Sequence, residues 1–104
     1  MPARYCILFS ARAAADLASI HQHIERDSPQ NATSVAASLV DAIDSLELLP
    51  HRYSVYQGRG SPTRAVRRMP VPPYLIFYRV DDAKRSVGVI TIRHGKQRQP
   101  RRFS

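Results

Sequence analysis

The apolar positions in the first part of the chain repeat with helical spacing. Leu17, Ile20 and Ile24 follow one another at intervals of three or four residues, and polar side chains fill the positions between them. Such a stripe predicts an amphipathic helix over about residues 11–27. Ser10, which precedes it, has a hydroxyl that suits the N-cap position.

A second stripe of the same kind follows after a short turn. It contains Val35, Leu39 and Ile43. Pro29 suits the first turn of this helix, and the helix should end before Pro50, because a residue that precedes proline is pushed out of the α region. Only a capped turn separates the two helices, so we predict an antiparallel hairpin whose apolar faces share one core.

Short apolar runs in the rest of the chain predict strands. One run covers residues 4–9, and three more lie near residues 64–69, 74–80 and 87–93, separated by short, turn-rich spacers. Residues 50–63 contain prolines and glycines and are predicted as a loop. Short spacers favour an antiparallel meander. The predicted fold is α+β, with the order β-α-α-β-β-β: a helical hairpin packed on a small, mostly antiparallel four-stranded sheet.

The charge of the chain is concentrated in its second half. Residues 1–52 hold four arginines against six carboxylates, for a net charge of −2, whereas residues 53–104 hold twelve lysines and arginines against two aspartates, for a net charge of +10. This asymmetry predicts an acidic partner. We divide the chain into one domain over residues 1–94 and a basic C-terminal tail over residues 95–104.

The composition also excludes several classes of protein. Cys6 is the single cysteine, so no intrachain disulfide is expected, and its apolar neighbours predict a buried packing residue. No Cys/His group has the spacing of a zinc site, so we expect neither a metal nor a cofactor. No apolar run approaches the ~20 residues that span a bilayer, and the N-terminus lacks a signal-peptide layout. We therefore expect a cytoplasmic protein without membrane contact.

The order of elements, with particular residues at their junctions, resembles the ParE/RelE superfamily of type II toxins. The resemblance is carried by the joint order and spacing of residues 9–17, 46–50, 66–68, 74–80 and 90–96. The last of these segments ends in Arg-His-Gly-Lys, which is most similar to the ParE branch.

The resemblance implies a toxin that is made together with a ParD-like acidic antitoxin, which binds and neutralises it. For the ParE branch it implies inhibition of DNA gyrase by binding, which leaves the gyrase trapped on cleaved DNA. Contact with DNA would then be indirect, through the antitoxin or the gyrase. In the RelE branch the same fold is an endoribonuclease that cuts messenger RNA on the ribosome.

A ribonuclease of the RelE type needs cations that hold the phosphate and a group that transfers a proton. Arg67 and Arg79 could hold the phosphate, and His94 could transfer the proton. The resemblance implies a tyrosine or histidine near the C-terminus, where this chain has Phe103 and no tyrosine. Arginine is a poor general base. We therefore favour the gyrase inhibitor, with the RelE-type ribonuclease as the alternative and a plain nucleic-acid-binding module as a third class.

Two binding surfaces are predicted. The target-binding surface consists of basic residues on the strands and near the end of the chain: Arg67, Arg68, Arg93, His94, Lys96 and Arg98. The antitoxin is expected to lie on apolar side chains of the helices and the sheet: Leu17, Ile20, Ile24, Leu39 and Tyr78. His21 and His23 lie off the apolar stripe of the first helix and are predicted to face solvent or a partner.

Overall fold

The computed structural model describes residues 4–61 and 64–98, which form two helices and five strands. In chain order the elements are β1 (Cys6–Phe9), α1 (Ala11–Glu25), α2 (Pro29–Asp44), β2 (Val55–Gln57), β3 (Val66–Val71), β4 (Tyr74–Asp81) and β5 (Ser86–His94). A 3-10 turn over Ser45–Glu47 extends α2. Within the described ranges, neither helix has the length and apolar content that crossing a membrane requires.

Both helices begin at the residues that the sequence predicts. The Ser10 hydroxyl oxygen accepts a hydrogen bond of 2.9 Å from the backbone N–H of Ala13. The Ser28 hydroxyl oxygen accepts one of 3.4 Å from the N–H of Asn31, and Pro29 occupies the first turn of α2. These side chains satisfy amide groups that the first turn of a helix leaves without an intrahelical partner. The predicted α+β fold with two helices is confirmed.

The sheet differs from the prediction in strand number and direction. It has five strands in the order β1-β5-β4-β3-β2, and β1 runs parallel to β5 while the other neighbours are antiparallel. The prediction of four mostly antiparallel strands was therefore wrong in part. Residues 50–63, predicted as a loop, contain β2, which pairs with β3. Three residues are too few for a period of two to be recognised.

The core lies between the helical hairpin and one face of the sheet. The largest side chains that are fully buried there are Leu39, Ile43, Leu46, Met69, Ile76 and Tyr78. They come from both helical and strand segments, so the hairpin covers this face as its two apolar stripes predict. The face of the sheet that points away from the helices is called the far face below.

Two residues predicted to contact the antitoxin belong to this core instead. Leu39 and Tyr78 are both 0% exposed. The Tyr78 hydroxyl donates a hydrogen bond of 2.7 Å to the carbonyl of Pro50. A side chain without accessible surface cannot contact a partner in this conformation, so both are removed from the predicted surface. The opposite correction applies to Cys6: its neighbour Ile7 packs against the core, so Cys6 points to the far face, where it is exposed.

Because the phenol of Tyr78 is buried, the stability of the fold should depend on pH in the alkaline range. Burial is the main cause that raises the pKa of Tyr78 from 10.0 to about 12. Because the pKa is higher in the folded protein, the contribution of this group is complete below pH 10 and is lost as the pH rises through about 12. We expect the free energy of unfolding, measured by urea denaturation, to fall over this interval.

The variant Tyr78→Phe should show a smaller loss of stability over the same pH interval, because it lacks the group that titrates. At neutral pH the variant should be less stable by about 1 kcal/mol, since the Pro50 carbonyl loses its donor. An identical pH dependence in the variant and the wild type would contradict this assignment.

Candidate functional site

The alternation of side chains along β4 divides the predicted basic residues between the two faces of the sheet. Ile76 and Tyr78 belong to the core under the helices, so Phe77 and Arg79 point to the far face. Arg68 pairs with Phe77 across β3 and β4 and shares that face. Adjacent residues of one strand therefore contribute to different surfaces.

The Arg67 side chain is hydrogen-bonded to a loop and, unlike the other arginines, does not extend into solvent. It lies opposite Tyr78 on the helix side of the sheet. Its guanidinium group donates hydrogen bonds of 2.6 Å to the carbonyl of Tyr53 and 3.2 Å to the carbonyl of His51. The structure therefore separates Arg67 from Arg68 and gives it a bonding role inside the protein.

The far face combines arginines with aromatic rings. Its arginines come from three neighbouring strands: Arg68 from β3, Arg79 from β4 and Arg93 from β5. The guanidinium carbon of Arg68 lies 5.2 Å from the centroid of the Tyr56 ring, which meets the Phe77 ring edge-on at 5.1 Å. Guanidinium groups held in this way suit carboxylates and phosphates.

The chain forms a tightly bonded turn directly after β5. The N–H of His94 donates to Gln97 Oε1 at 2.8 Å, and the N–H of Gln97 donates to the carbonyl of His94 at 3.0 Å. The N–H of Lys96 donates to His94 Nδ1 at 3.0 Å, and the N–H of Gly95 donates to the carbonyl of Pro73 at 2.7 Å. Because His94 Nδ1 accepts the hydrogen bond from Lys96, the proton of the neutral ring is on Nε2.

Part of the predicted tail belongs to this turn. Residues 95–98 follow β5 directly, and the Arg93 guanidinium group donates to the carbonyl of Arg98 at 2.9 Å. Residues 99–104 of the predicted tail lie outside the described residues. Lys96 and Arg98 are exposed beside His94 and thus extend the basic surface beyond the end of the sheet.

A groove of about 310 Å³ lies between α1 and the end of β5. Its floor is apolar and is formed by Ile20, Tyr74 and Ile92, and its rim is polar and includes Ser19, His23, Arg93, His94 and Gln97. The ring of His94 meets the ring of Tyr74 edge-on, with 5.5 Å between their centroids. We call it the α1–β5 groove. It brings together Ile20, predicted for the antitoxin, and His94, predicted for the target.

The side chain of Asp16 connects α1 to the end of β5 through hydrogen bonds. Its Oδ2 atom accepts hydrogen bonds from the Thr91 hydroxyl at 2.5 Å and from the N–H of Ile92 at 3.0 Å. The Ser10 hydroxyl donates to the carbonyl of Ile90 at 2.7 Å. The β4–β5 register shifts at this point and leaves Ile90 as the extra residue of a β-bulge. The side chains of Ser10 and Asp16 therefore satisfy backbone groups of β5 beyond Val89, the last residue of β5 that pairs with β1.

Asp16 was not predicted as a site residue. In the sequence it is one of the polar residues beside the apolar stripe of α1, where most residues face solvent. One available signal was Thr91, a hydroxyl within the apolar run of β5 that needs a partner if buried. The sequence does not reveal that this partner lies 75 residues earlier in the chain.

The residues predicted for a ribonuclease do not meet at one point. Arg79 lies opposite Gly88, and His94 lies opposite Tyr74, at the other end of β4. Five residues of an antiparallel strand span about 17 Å. The two side chains also leave the sheet on different faces, and Arg67 is bonded to loop carbonyls.

A second polar cluster joins the start of the chain to the turn between β4 and β5. Asp82 Oδ1 accepts a hydrogen bond of 2.6 Å from the Tyr5 hydroxyl and lies 2.8 Å from His51 Nε2. The Tyr5 bond lowers the pKa of Asp82 and raises the pKa of Tyr5. The cluster is exposed, and its contacts are those of a surface ion pair. Among the described residues, no three His, Cys, Asp or Glu side chains are grouped as metal ligands.

Comparisons with known proteins show the family. A model of the ParE toxins of parDE type II toxin–antitoxin systems matches residues 7–99. Toxin RelE2 of Caulobacter vibrioides is 36% identical over 88 residues, which cover 85% of this chain and 92% of that protein.

Solved structures show the same fold. The chromosomal ParDE toxin–antitoxin system from P. aeruginosa includes a chain with a TM-score of 0.69 and 21% identity, covering 88% of this chain and 96% of that one. The archaeal RelE–RelB complex from Pyrococcus horikoshii OT3 includes one with a TM-score of 0.65 and 14% identity, covering 91% of this chain and 99% of that one. The chain belongs to the ParE toxin family, within the ParE/RelE toxins of type II toxin–antitoxin systems.

Proposed function

We propose that this toxin inhibits DNA gyrase by binding to it and not by catalysing a reaction. The observation that supports binding is the separation of the predicted catalytic residues. A ribonuclease must bring its cations and its proton donor to one phosphate. Arg79 and His94 leave the sheet on different faces, about 17 Å apart along the strand. A binding surface requires no such convergence.

The surface we assign to the target extends from the end of β5 onto the far face of the sheet and is called the toxic surface. Its members are Arg68, Arg93, His94, Lys96 and Arg98. Hydrogen bonds within the turn after β5 hold the His94 ring and the backbone of Lys96 in place. Arg67 is left out because its guanidinium group is bonded to two loop carbonyls. Groups held rigidly before binding lose less conformational entropy when the complex forms.

The second candidate is a ribosome-dependent messenger RNA endoribonuclease of the RelE type. The name of the Caulobacter relative, RelE2, and the orientation of His94 support it. His94 Nδ1 accepts a hydrogen bond from the Lys96 amide, which directs Nε2 away from the turn. A ring held in this way could donate a proton to a leaving oxygen.

The two candidates give different products in reconstituted reactions. Toxin made by cell-free synthesis is incubated with purified gyrase, ATP and supercoiled plasmid, and the products are released with detergent and protease. We expect linear DNA to accumulate with toxin dose, and to be absent when the antitoxin is added first. Intact plasmid, together with cut messenger RNA in a parallel reaction with ribosomes, would favour the second candidate. Salt-sensitive nucleic-acid binding without either activity would indicate a binding module.

A further inference from the structure

We infer that Asp16 is a positioning residue of the toxic surface: it acts through the backbone of β5 and fixes the place of the His94 ring, without contacting the target itself. That Asp16 holds the end of β5 is argued from its hydrogen bonds alone. Its effect on the target rests on the proposed function, because only that function makes His94 part of the toxic surface.

The last part of β5 forms an open edge of the sheet on the side of β1. The pairing of β1 with β5 ends at Phe9 and Val89, so residues 90–94 keep β4 as their strand neighbour on the other side. A strand that is paired on one side presents backbone groups that no ladder satisfies, and such segments open more readily than the centre of a sheet. His94 is the last residue of this segment.

Side chains take the place of a neighbouring strand at this edge. The N–H of Gly95 donates to the carbonyl of Pro73 in the β3–β4 hairpin, so the alternation of the strand turns the N–H groups of Ile92 and His94 to the open side. Asp16 Oδ2 accepts from Ile92 at 3.0 Å, and Gln97 Oε1 accepts from His94 at 2.8 Å. Gln97 belongs to the turn itself, whereas Asp16 ties the edge to α1.

The contact of Asp16 is buried, so water is a poor substitute for the carboxylate. Thr91 and Ile92, which donate to Oδ2, are 2% and 4% exposed. Two residues after Ile92, the His94 ring lies edge-on against Tyr74. A shift of the Ile92 backbone therefore displaces this ring together with the turn that follows it.

The expected cost of losing Asp16 is the ordering of this turn when the target binds. A surface that is rigid before binding loses less conformational entropy than one that must be immobilised in the complex. The competing explanation is that the negative charge of Asp16 acts on the target directly, since the residue also lines the α1–β5 groove. Asparagine separates the two, because its amide oxygen accepts hydrogen bonds and carries no charge.

The test compares three full-length variants in the gyrase cleavage reaction, at a temperature where circular dichroism shows each of them folded. Asp16→Ala should raise the toxin concentration for half-maximal cleavage about tenfold, and Asp16→Asn should stay within about threefold. The control is Ile43→Ala, which leaves a cavity in the core at the end of α2 that lies away from Tyr74. Its activity should stay within about twofold, because the end of β5 is intact.

Hydrogen exchange measured by NMR tests the positioning without gyrase. In the unmodified toxin the amide of Ile92 should exchange as slowly as that of Arg93, whose N–H faces β4. In Asp16→Ala the amides of Ile92, Lys96 and Gln97 should exchange about tenfold faster, whereas in Ile43→Ala those of Lys96 and Gln97 should not change.

Three results would overturn the inference. One is fast exchange of Ile92 in the unmodified toxin, which decides the matter even if Asp16→Ala does not fold. Another is an equal loss of activity in Asp16→Ala and Ile43→Ala, which would reduce the effect to stability. The third is a loss in Asp16→Asn as large as that in Asp16→Ala, which would assign the effect to charge. If the unmodified toxin itself causes no cleavage, the proposed function fails, and the exchange rates still decide whether Asp16 holds the end of β5.

Discussion

Replacing Asp16 by alanine should lower the free energy of unfolding by about 3 kcal/mol, because two hydrogen bonds to a carboxylate are lost. The Thr91 hydroxyl and the Ile92 amide remain buried and without this acceptor, since their residues are 2% and 4% exposed. A loss of this size should lower the melting temperature by about 15 °C in a domain of this length. The measurement is urea denaturation combined with calorimetric melting.

Asp41→Ala is the control, because it makes the same chemical change at an exposed position of α2. We expect its stability to stay within about 0.5 kcal/mol of the wild type. Thr91→Val tests the same contact from the other side and should cost about 1 kcal/mol, since the Ile92 amide keeps its acceptor. If Asp16→Ala and Asp41→Ala unfold at the same denaturant concentration, the assigned role of Asp16 is wrong.

Reversing the charges of Lys96 and Arg98 should have the largest effect on toxicity. Both side chains are exposed on the turn after β5, so the double change to glutamate leaves the core untouched. If these cations face an acidic region of the target, like-charge contacts replace attraction, and the loss corresponds to about 100-fold in affinity. We expect the toxin concentration that gives half-maximal plasmid cleavage by gyrase to rise by that factor.

The double variant Arg4→Glu with Lys84→Glu tests whether local charge or net charge matters. Arg4 and Lys84 are also exposed, they lie at the Ser86 end of β5, about 27 Å along the strand from His94, and the substitutions change the net charge of the protein by the same amount. Their effect should stay within about threefold, because exposed charges farther away than a Debye length are screened. Equal losses in the two double variants would show that only net charge matters and would remove the turn from the toxic surface.

The helical half of the fold is readable from the sequence because its signals are local. Ser10 and Ser28 cap helices within three residues of themselves, and the stripe around Leu17 repeats within one helix. The same stripe does not say what covers it. A helix face that is buried in the core and one that binds a partner show the same spacing of apolar residues. For this reason Leu39 was predicted to contact the antitoxin, although it is completely buried against the sheet.

The sheet and the site depend on contacts between distant residues. The neighbour of β1 is β5, at the other end of the chain, and no local pattern indicates that parallel pairing. Composition predicts a basic surface, but the division of Arg67 and Arg68 between two faces follows from the β3–β4 register. The bulge at Ile90, and with it the role of Asp16, likewise emerges only once the strands are paired.

The parallel pairing of β1 with β5 sets a limit on when the toxin can become active during its synthesis. The contacts that complete the structure join Ser10 to Ile90 and Asp16 to Thr91, across 80 and 75 residues. Closing such long loops is slow and requires both ends of the chain. A nascent chain on the ribosome has β1 without a neighbour until β5 has emerged. The fold can therefore be completed only after β5 has left the ribosome, and the proposed toxic surface around His94 forms only then.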